Sequence, residues 1–302
     1  MSIYVEIRIR GDVDTLWRLT QEPASHQRWD LRFSEIDYLP RLTERDPQRF
    51  RYATRIGFGL RVRGEGESTG HRDGAAGERT SALRFWSDDA KSLIREGSGY
   101  WRYVPTAEGV RFLTWYDYRT RFGIAGRVVD ALVFRPLMGW ATAWSFDRLR
   151  LWIERGIEPA HARQRWLAHA VARLTVAAIF VYHGLVPKLL YRAGSELAML
   201  TNAGVAPTTA LRATLLAGVA EVAFGTLLVV AWRARWPLAV AMALMPVALV
   251  GVAAYSPRML VEAFNPVTLN LAVVALAAVA WLTHDDLPSA ARCLRTRPAE
   301  ER

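Results

Sequence analysis

The stretch LNLAVVALAAVAWL at residues 269–282 contains a single polar side chain, that of Asn270. It belongs to the last of four apolar segments, at about residues 166–186, 210–232, 236–255 and 266–282. Each is near the ~17–25 residues that a helix needs to cross a bilayer. A core helix of a soluble protein usually carries a polar face, and these segments lack one. The sequence therefore predicts an all-α bundle of four transmembrane helices in a multi-pass protein of the cell membrane.

The charge of the chain does not indicate a nucleic-acid partner. The chain has 39 basic and 29 acidic side chains and a net charge of +10. Residues 1–160 are close to balance, and most basic residues after them flank the apolar segments. We find neither a zinc-finger nor an RNA-binding motif. Arginine outnumbers lysine 37 to 2, which we interpret as coding bias because the arginines do not collect in one patch.

Positive residues around the apolar segments predict the orientation of the bundle, because they mark the cytoplasmic side. Arginines precede the first segment, separate the second from the third and follow the fourth, while the other two connections carry fewer uncompensated charges. The N-terminal stretch SIYVEIRIR has no continuous apolar core like that of a signal peptide. We expect both the N-terminal domain and the C-terminal tail to be cytoplasmic. The arginines are Arg163, Arg165, Arg233, Arg235, Arg292, Arg295 and Arg297.

Residues 1–155 show the pattern of an α+β domain. Apolar and polar residues alternate over residues 3–10, as in a strand with one buried face. Six more strand-like runs follow, separated by short Gly, Asp and Pro turns that favour an antiparallel sheet. A long helix is predicted at residues 126–155, with a kink at Pro136. We divide the chain into a soluble domain (1–155), a linker (156–165), a transmembrane domain (166–285) and a basic tail (286–302).

The order of these elements, with Val13, Leu16 and Trp17 early and Trp29-Asp30 soon after, resembles the START/polyketide-cyclase (SRPBCC) superfamily. The resemblance implies a helix-grip fold, in which an antiparallel sheet wraps around a long C-terminal helix and encloses a hydrophobic cavity. It also implies a lipid-like or aromatic ligand and transfers no catalytic residue. The aromatic residues either line this cavity or fill the core. The cavity candidates are Trp29, Tyr52, Trp86, Tyr100, Trp101, Trp115 and Tyr116.

The membrane half resembles the DoxX-like family of small four-helix membrane proteins. The resemblance rests on YHGLVPK at residues 182–188, on Gly218 with Glu221, and on Asn265-Pro266 with Asn270. Some relatives are linked to sulfur and quinone redox chemistry or to oxidative-stress complexes. The resemblance therefore implies a component of such a system without fixing its reaction.

Polar residues within the apolar segments are candidate site residues, because charges there are costly and usually pair inside the bundle. Arg173 and Glu221 differ in predicted depth by only ~6 Å, so we expect an ion pair that either serves a site or only joins two helices. His183, Lys188 and Asn270 should gather nearer the outer surface, for a headgroup, a quinone ring or a structural role. The full set is Arg173, His183, Lys188, Glu221, Asn265 and Asn270.

The sequence identifies no cofactor, although it leaves a quinone open. Haem is disfavoured because His169 and His183 share one helix and no histidine is expected on a facing one. No cluster has the ligand spacing of a metal site, and one cysteine, Cys293, makes no internal disulfide. Two functions remain. The preferred one is a membrane-tethered binding protein whose N-terminal cavity holds a hydrophobic small molecule or lipid. The alternative is a component of a membrane quinone-linked oxidoreductase or oxidative-stress complex, with an unidentified membrane-protein partner.

Overall fold

The computed structural model describes residues 2–41, 43, 46–57 and 59–299. The chain forms two compact units. The front unit contains residues 1–163 together with residues 288–302, and the membrane unit contains residues 164–287. The predicted fold class, an α+β helix-grip domain followed by an all-α bundle, is confirmed.

Seven strands form one antiparallel sheet in the order β1-β7-β6-β5-β4-β3-β2. Consecutive strands from β2 to β7 are neighbours, which agrees with the short turns between them, and β1 closes the far edge by pairing with β7. The strands are β1 Ile3–Ile9, β2 Glu35–Tyr38, β3 Arg49–Gly57, β4 Leu60–Asp73, β5 Arg79–Trp86, β6 Ile94–Thr106 and β7 Gly109–Thr120.

The alternation in β1 sets which face of the sheet is buried. Ile3, Val5, Ile7 and Ile9 are all at most 5% exposed. They pair in register with alternate residues of β7, from Tyr116 at one end to Val110 at the other, and these are buried too. Side chains two apart share a face, so this register defines the inner face of the whole sheet.

Two short helices follow β1. They are α1 at Val13–Gln21 and α2 at Pro23–Trp29. Asp12 begins α1 by accepting a hydrogen bond from the backbone N–H of Thr15 at 2.7 Å. Trp29 ends α2 fully buried and donates its indole N–H to the carbonyl of Leu19. The two helices therefore close one side of the inner face.

A long helical path follows β7. It comprises α3 at Gly123–Val129, a π-helical turn at Asp130–Phe134 and α4 at Arg135–Arg155. The irregular turn directly precedes Pro136, where the sequence predicts a kink. The α4 helix packs against β1, and its Phe146 stacks on Phe112 of β7 with ring centres 4.4 Å apart. The sheet and α4 thus enclose the core of the front unit.

The C-terminal segment joins the front unit through Asp147 of α4. This carboxylate is fully buried and accepts hydrogen bonds from Arg150, the backbone N–H of Ser289 and Arg292. A buried carboxylate is stable only when such partners offset its lost hydration. Asp147 therefore fixes residues 288–292 on α4.

The same segment also reaches the free edge of the sheet. Leu294 exchanges two backbone hydrogen bonds with Glu6 of β1, both at 2.9 Å. The thiol of Cys293 donates to the carbonyl of Ala143, and burial raises its pKa. Pairing of this kind protects an exposed edge strand. Residues 300–302 of the predicted tail lie outside the described residues.

The membrane unit contains five helices, among which α5 continues into a π-helical stretch at Gly184–Leu190. Residues of α5, α7, α8 and α9 share one buried cluster, while many large apolar side chains point outward, as expected for a bundle in lipid. The helices are α5 Pro159–His183, α6 Gly194–Asn202, α7 Pro207–Val230, α8 Trp236–Tyr255 and α9 Pro266–Leu282.

Three of these helices are long and apolar enough to cross a membrane: α5 with its π-helical extension, α7 and α8. The fourth, α9, lies where the sequence predicts it and is apolar, but it has 17 residues. At ~1.5 Å per residue it measures ~26 Å, slightly less than the ~30 Å hydrocarbon core.

Candidate functional site

The inner face of the front-unit sheet carries four of the seven cavity candidates. Trp101 and Tyr116 are buried there, Tyr52 is half-buried, and Trp29 of α2 packs against them. The ring centres of Trp29 and Trp101 are 6.0 Å apart. These four residues therefore lie where a ligand between sheet and helices would be held.

The other three candidates lie on the outer face. Trp86, Tyr100 and Trp115 alternate with inner-face residues along β5, β6 and β7. Tyr100 and Trp115 stack on each other with ring centres 5.9 Å apart. Their prediction as cavity residues is wrong, because neighbours in a strand point to opposite faces.

The inner face has a packed half and an open half. In the packed half, Phe112 and Phe146 are fully buried between β7 and α4. In the open half, inner-facing side chains of β3 and β5 remain partly exposed, and Phe33 after α2 joins them by an edge contact with Tyr52 at 5.6 Å. The open half consists of Phe33, Phe50, Tyr52, Leu83 and Phe85.

Glycines form the floor beneath these rings. Gly64, Gly66 and Gly97 face inward on the central strands, and an added Cβ on any of them would lie closer than 3.0 Å to the ring of Tyr52, Phe50 or Phe85. The rings therefore lie over bare backbone rather than over other side chains. The open half is therefore an apolar, partly exposed surface whose rings lie flat on the backbone of the sheet. Apolar surfaces with a few polar groups are typical of small-molecule sites.

A buried polar group lies between the two halves. Asp30 is 1% exposed and accepts hydrogen bonds from Arg32, at 2.6 and 2.9 Å, and from His26 Nε2 at 3.1 Å. The ring of His26 contacts Trp29, Phe33 and Trp101 with centres 4.9–5.2 Å apart. The polar group therefore touches the aromatic residues of both halves.

The electrostatics of this group leave it close to neutral overall. Burial lowers the pKa of His26, which keeps the imidazole uncharged at neutral pH. Burial alone would raise the pKa of Asp30, but the adjacent Arg32 and the hydrogen bond from His26 outweigh it and lower that pKa. One carboxylate and one guanidinium then cancel, and the imidazole adds no charge.

The hydroxyls around the site are protonated. Burial raises the pKa of Tyr52 to about 12. It also raises the pKa of Tyr116, whose hydroxyl lies 3.0 Å from that of Thr142 on α4. The site therefore offers neutral hydrogen-bonding groups beside an apolar lining.

Arg173 of the membrane unit does not pair with Glu221 as predicted. It is fully buried and donates to the carbonyls of Leu228, Ala231 and Ala234 at 2.7–3.0 Å. These carbonyls lie at and just beyond the end of α7, where no helical N–H remains to bond them. Arg173 therefore caps a helix with a charged donor.

Glu221 pairs instead with Lys188, whose Nζ lies 2.9 Å from its Oε2. Glu196 of α6 approaches the same Nζ at 3.4 Å, and His183 is within electrostatic reach of all three groups. Lys188 lies in the π-helical stretch, and Gly184 there packs against Gly218 of α7 without space for a Cβ. The structure thus brings three predicted residues together and adds Glu196.

The two asparagine candidates lie apart from this group. Asn265 begins α9 by accepting from the N–H of Thr268, and Asn270 donates weakly to the carbonyl of Met245 at 3.4 Å. Both make structural contacts within the membrane unit.

None of α7, α8 and α9 carries a histidine, but His284, just after α9, lies with its ring centre 5.4 Å from that of His169. Nδ1 of His169 donates to the carbonyl of Ala280, and its Nε2 has no hydrogen-bond partner among the described residues. Within those residues, no group of three His, Cys, Asp or Glu side chains is arranged to hold a metal ion.

Comparison with known proteins agrees with this architecture. The sequence pattern of the DoxX-like family matches residues 177–278. The chain is also 48% identical over 183 residues to the uncharacterized membrane protein YndG of Bacillus subtilis (strain 168), covering 60% of this chain and 68% of YndG. The chain belongs to the DoxX-like family. It is a membrane protein in which the front unit precedes the DoxX-like domain.

Two solved structures resemble the front half of this DoxX-like protein. One is the STAR-related lipid transfer protein from Xanthomonas axonopodis, at 15% identity and a TM-score of 0.40, covering 51% of this chain and 86% of that fragment. The other is the Zhui aromatase/cyclase from Streptomyces sp. R1128, at 15% identity and a TM-score of 0.36, covering 50% and 96%.

Proposed function

We propose that the protein is a membrane-tethered binding protein that holds a hydrophobic small molecule or lipid in its front unit. The observation that carries this proposal is the open half of the inner face. Aromatic rings there lie over a glycine floor and keep part of their surface exposed. The exposed part of each ring contributes nothing to the stability of the front unit, because only apolar surface removed from water does.

The polar group beside the open half suggests the chemistry of the ligand. It is neutral overall, so a free carboxylate or phosphate would find no uncompensated positive charge. His26 donates its Nε2–H to Asp30, which leaves Nδ1 as an acceptor. A ligand with an apolar body and a hydroxyl or carbonyl end fits this combination better than a charged one.

Binding is best tested on the full chain in nanodiscs, with a fluorescent fatty alcohol and a fluorescent fatty acid as probes. Tyr52→Ala removes a ring from the open half, and Tyr100→Ala is its matched control, since both tyrosines are half-buried on opposite faces. Loss of a ring contact worth about 1.5–3 kcal/mol weakens binding about 10- to 100-fold. We expect that loss for Tyr52→Ala and less than about a twofold change for Tyr100→Ala. Absence of saturable binding, or equal effects of the two variants, contradicts the proposal.

The membrane unit supports a second proposal, a quinone-linked role in a redox or oxidative-stress complex. Lys188 carries three N–H donors, and the ion pairs with Glu221 and Glu196 use two of them. The third donor, next to His183, could bind a quinone carbonyl at the end of the first span. A photoreactive quinone should then label the membrane unit, and Lys188→Met should abolish the labelling without changing ligand binding to the front unit. Labelling that survives Lys188→Met rejects this site.

A further inference from the structure

Residues 122–137 of the front unit expose an unusual amount of apolar surface. Seven large apolar side chains in this stretch are 50–81% exposed, with Ile124 and Leu132 highest. Soluble surfaces rarely keep such residues contiguous unless the patch binds something. We call this surface the 122–137 face; it consists of Phe122, Ile124, Val128, Val129, Leu132, Val133 and Leu137.

The opposite side of the same stretch is held against the sheet by specific contacts. A Cβ on Gly126 would collide with the carbonyl of Arg121. Asp130 is 4% exposed, accepts from the hydroxyl of Tyr118 at 2.6 Å and pairs with Arg135 at 2.6 Å. Rotating the apolar residues inward would separate Asp130 from these partners. The fold therefore keeps the 122–137 face pointing outward.

The backbone conformation at the start of the stretch also indicates that this face has a function. Phe122 has φ 66°, a left-handed conformation that is unfavourable for a residue other than glycine, and its ring is 59% exposed. Strained backbone that leaves an aromatic ring in water indicates a function for that ring outside the fold.

The charges near this face select a lipid surface among the partners that could cover it. In residues 119–137, all of which are described, Asp130 is the only carboxylate, and it is buried. Arg119 and Arg127 are exposed. Arg119 pairs with Glu96, and the exposed Asp88 lies 3.9 Å from Arg121, whereas Arg127, in the middle of the stretch, has no carboxylate partner among the described residues. Apolar residues around an unpaired, exposed arginine match the interface of a membrane with anionic headgroups. Only residues 156–158 separate α4 from α5, whose extended helix is long and apolar enough to span the membrane, so the chain itself keeps the front unit near a bilayer.

We propose that the 122–137 face docks into the interfacial layer of the bilayer that holds the membrane unit. Ile124, Val128 and Leu132 enter the headgroup–acyl boundary, and Arg127 contacts anionic headgroups. This inference does not depend on the proposed ligand, because it concerns lipid contact alone. If a ligand is bound, docking places the exposed end of the helical path next to its source.

The test uses the full chain in nanodiscs containing phosphatidylcholine and phosphatidylglycerol, with Cys293→Ser as background. A single cysteine at Leu132 carries an environment-sensitive fluorophore, and lipids with a nitroxide near the headgroup act as quenchers. The matched control is Arg84→Cys, an exposed position on the outer face of the sheet, which is turned away from α4. We expect strong quenching at position 132 and none above background at position 84.

A second variant separates docking from local effects of the label. With the label at Ile124, Val128→Ser combined with Leu132→Ser should reduce quenching to the level of position 84. Replacing phosphatidylglycerol by phosphatidylcholine should reduce it several-fold. Equal quenching at positions 132 and 84 overturns the proposal. A label shielded from water but not quenched by lipid also overturns it, since a protein surface or a second copy would then cover the face.

Discussion

Substitutions at Glu221 give the sharpest test of the membrane unit, because sequence and structure assign this carboxylate different partners. The structure pairs it with Lys188 at 2.9 Å, whereas Arg173 donates to three carbonyls at the end of α7. Two double-mutant cycles distinguish these arrangements. One combines Glu221→Gln with Lys188→Met, and the other combines Glu221→Gln with Arg173→Met.

The expected energies follow from the contacts. Two unit charges 2.9 Å apart attract by about 6 kcal/mol at an effective dielectric of ~20, and the cost of removing them from water offsets much of this. Glu221→Gln leaves Lys188 paired with Glu196, so we expect a loss of only about 1–2 kcal/mol. Lys188→Met leaves two neighbouring carboxylates without their cation and should cost about 3–5 kcal/mol.

The two cycles should therefore differ in coupling. We expect about 1–3 kcal/mol between positions 188 and 221, and less than about 0.5 kcal/mol between positions 173 and 221. Arg173→Met alone should still be strongly destabilising, by about 3–5 kcal/mol, since three carbonyls lose a charged donor. Arg212→Met, an exposed arginine on the same helix as Glu221, is the control and should change stability by less than about 0.5 kcal/mol.

The assay is reversible unfolding of the full chain in bicelles, followed by steric trapping, which gives a free energy for each variant. Coupling between positions 173 and 221 as large as that between positions 188 and 221 would refute the arrangement described above. Equal losses for Lys188→Met and Glu221→Gln would refute the role of Glu196 as a second partner.

Three further outcomes are expected. Truncation after Leu287 should lower the melting temperature of the front unit by several degrees, because Asp147 loses its contacts with Ser289 and Arg292. Truncation after Leu294 keeps these contacts and should change the melting temperature little. Burial lowers the pKa of His26 below 6.5, so the unfolded chain binds a proton first as pH falls. The stability of the front unit, measured by urea unfolding, should therefore be full above about pH 6.5 and decrease below it. His26→Gln should flatten this pH dependence. Reporter fusions should place residues 1, 234 and 302 in the cytoplasm and residues 200 and 260 outside, and a cytoplasmic signal at residue 200 would reject that topology.

The sequence predicts the alternation of the sheet but not which aromatic residues face inward. Tyr100 and Trp101 are neighbours, as are Trp115 and Tyr116, so a list containing all four had to place two on the wrong face. Once β1 is known to pair with β7, the alternation in β1 shows which residues of β7 face inward, since Ile3 lies opposite Tyr116. His26, Arg32 and Phe33 were missed because no local pattern marks them. Only the fold brings α2 and the residues after it against β3 and β6.

In the membrane unit, hydropathy locates the helices but does not identify the polar partners. Arg173 was assigned to Glu221 from depth along straight helices. It bonds Leu228 instead, seven residues or ~10 Å further along α7, because free carbonyls at a helix end compete for a guanidinium. Lys188 reaches Glu221 from a π-helical stretch, whose position the sequence marks only through Pro187. Asn270 was grouped with these residues by depth, although it faces α8.

The polar groups of the membrane unit join helices to one another, whereas those of the front unit keep apolar surface exposed. This difference favours binding and lipid exchange over chemistry. In the membrane unit, Arg173 closes a helix end, and Lys188 with its carboxylates joins α5, α6 and α7. In the front unit, Asp130 is buried so that seven apolar side chains point outward, and the rings over the glycines of the open half stay partly exposed. Each feature lowers the stability that the front unit could otherwise have, because apolar surface left in water contributes nothing to folding. Proteins keep such costly features mainly at functional sites. We therefore expect the exposed apolar surface of the front unit to serve apolar partners outside its own core, as both proposals for this unit require.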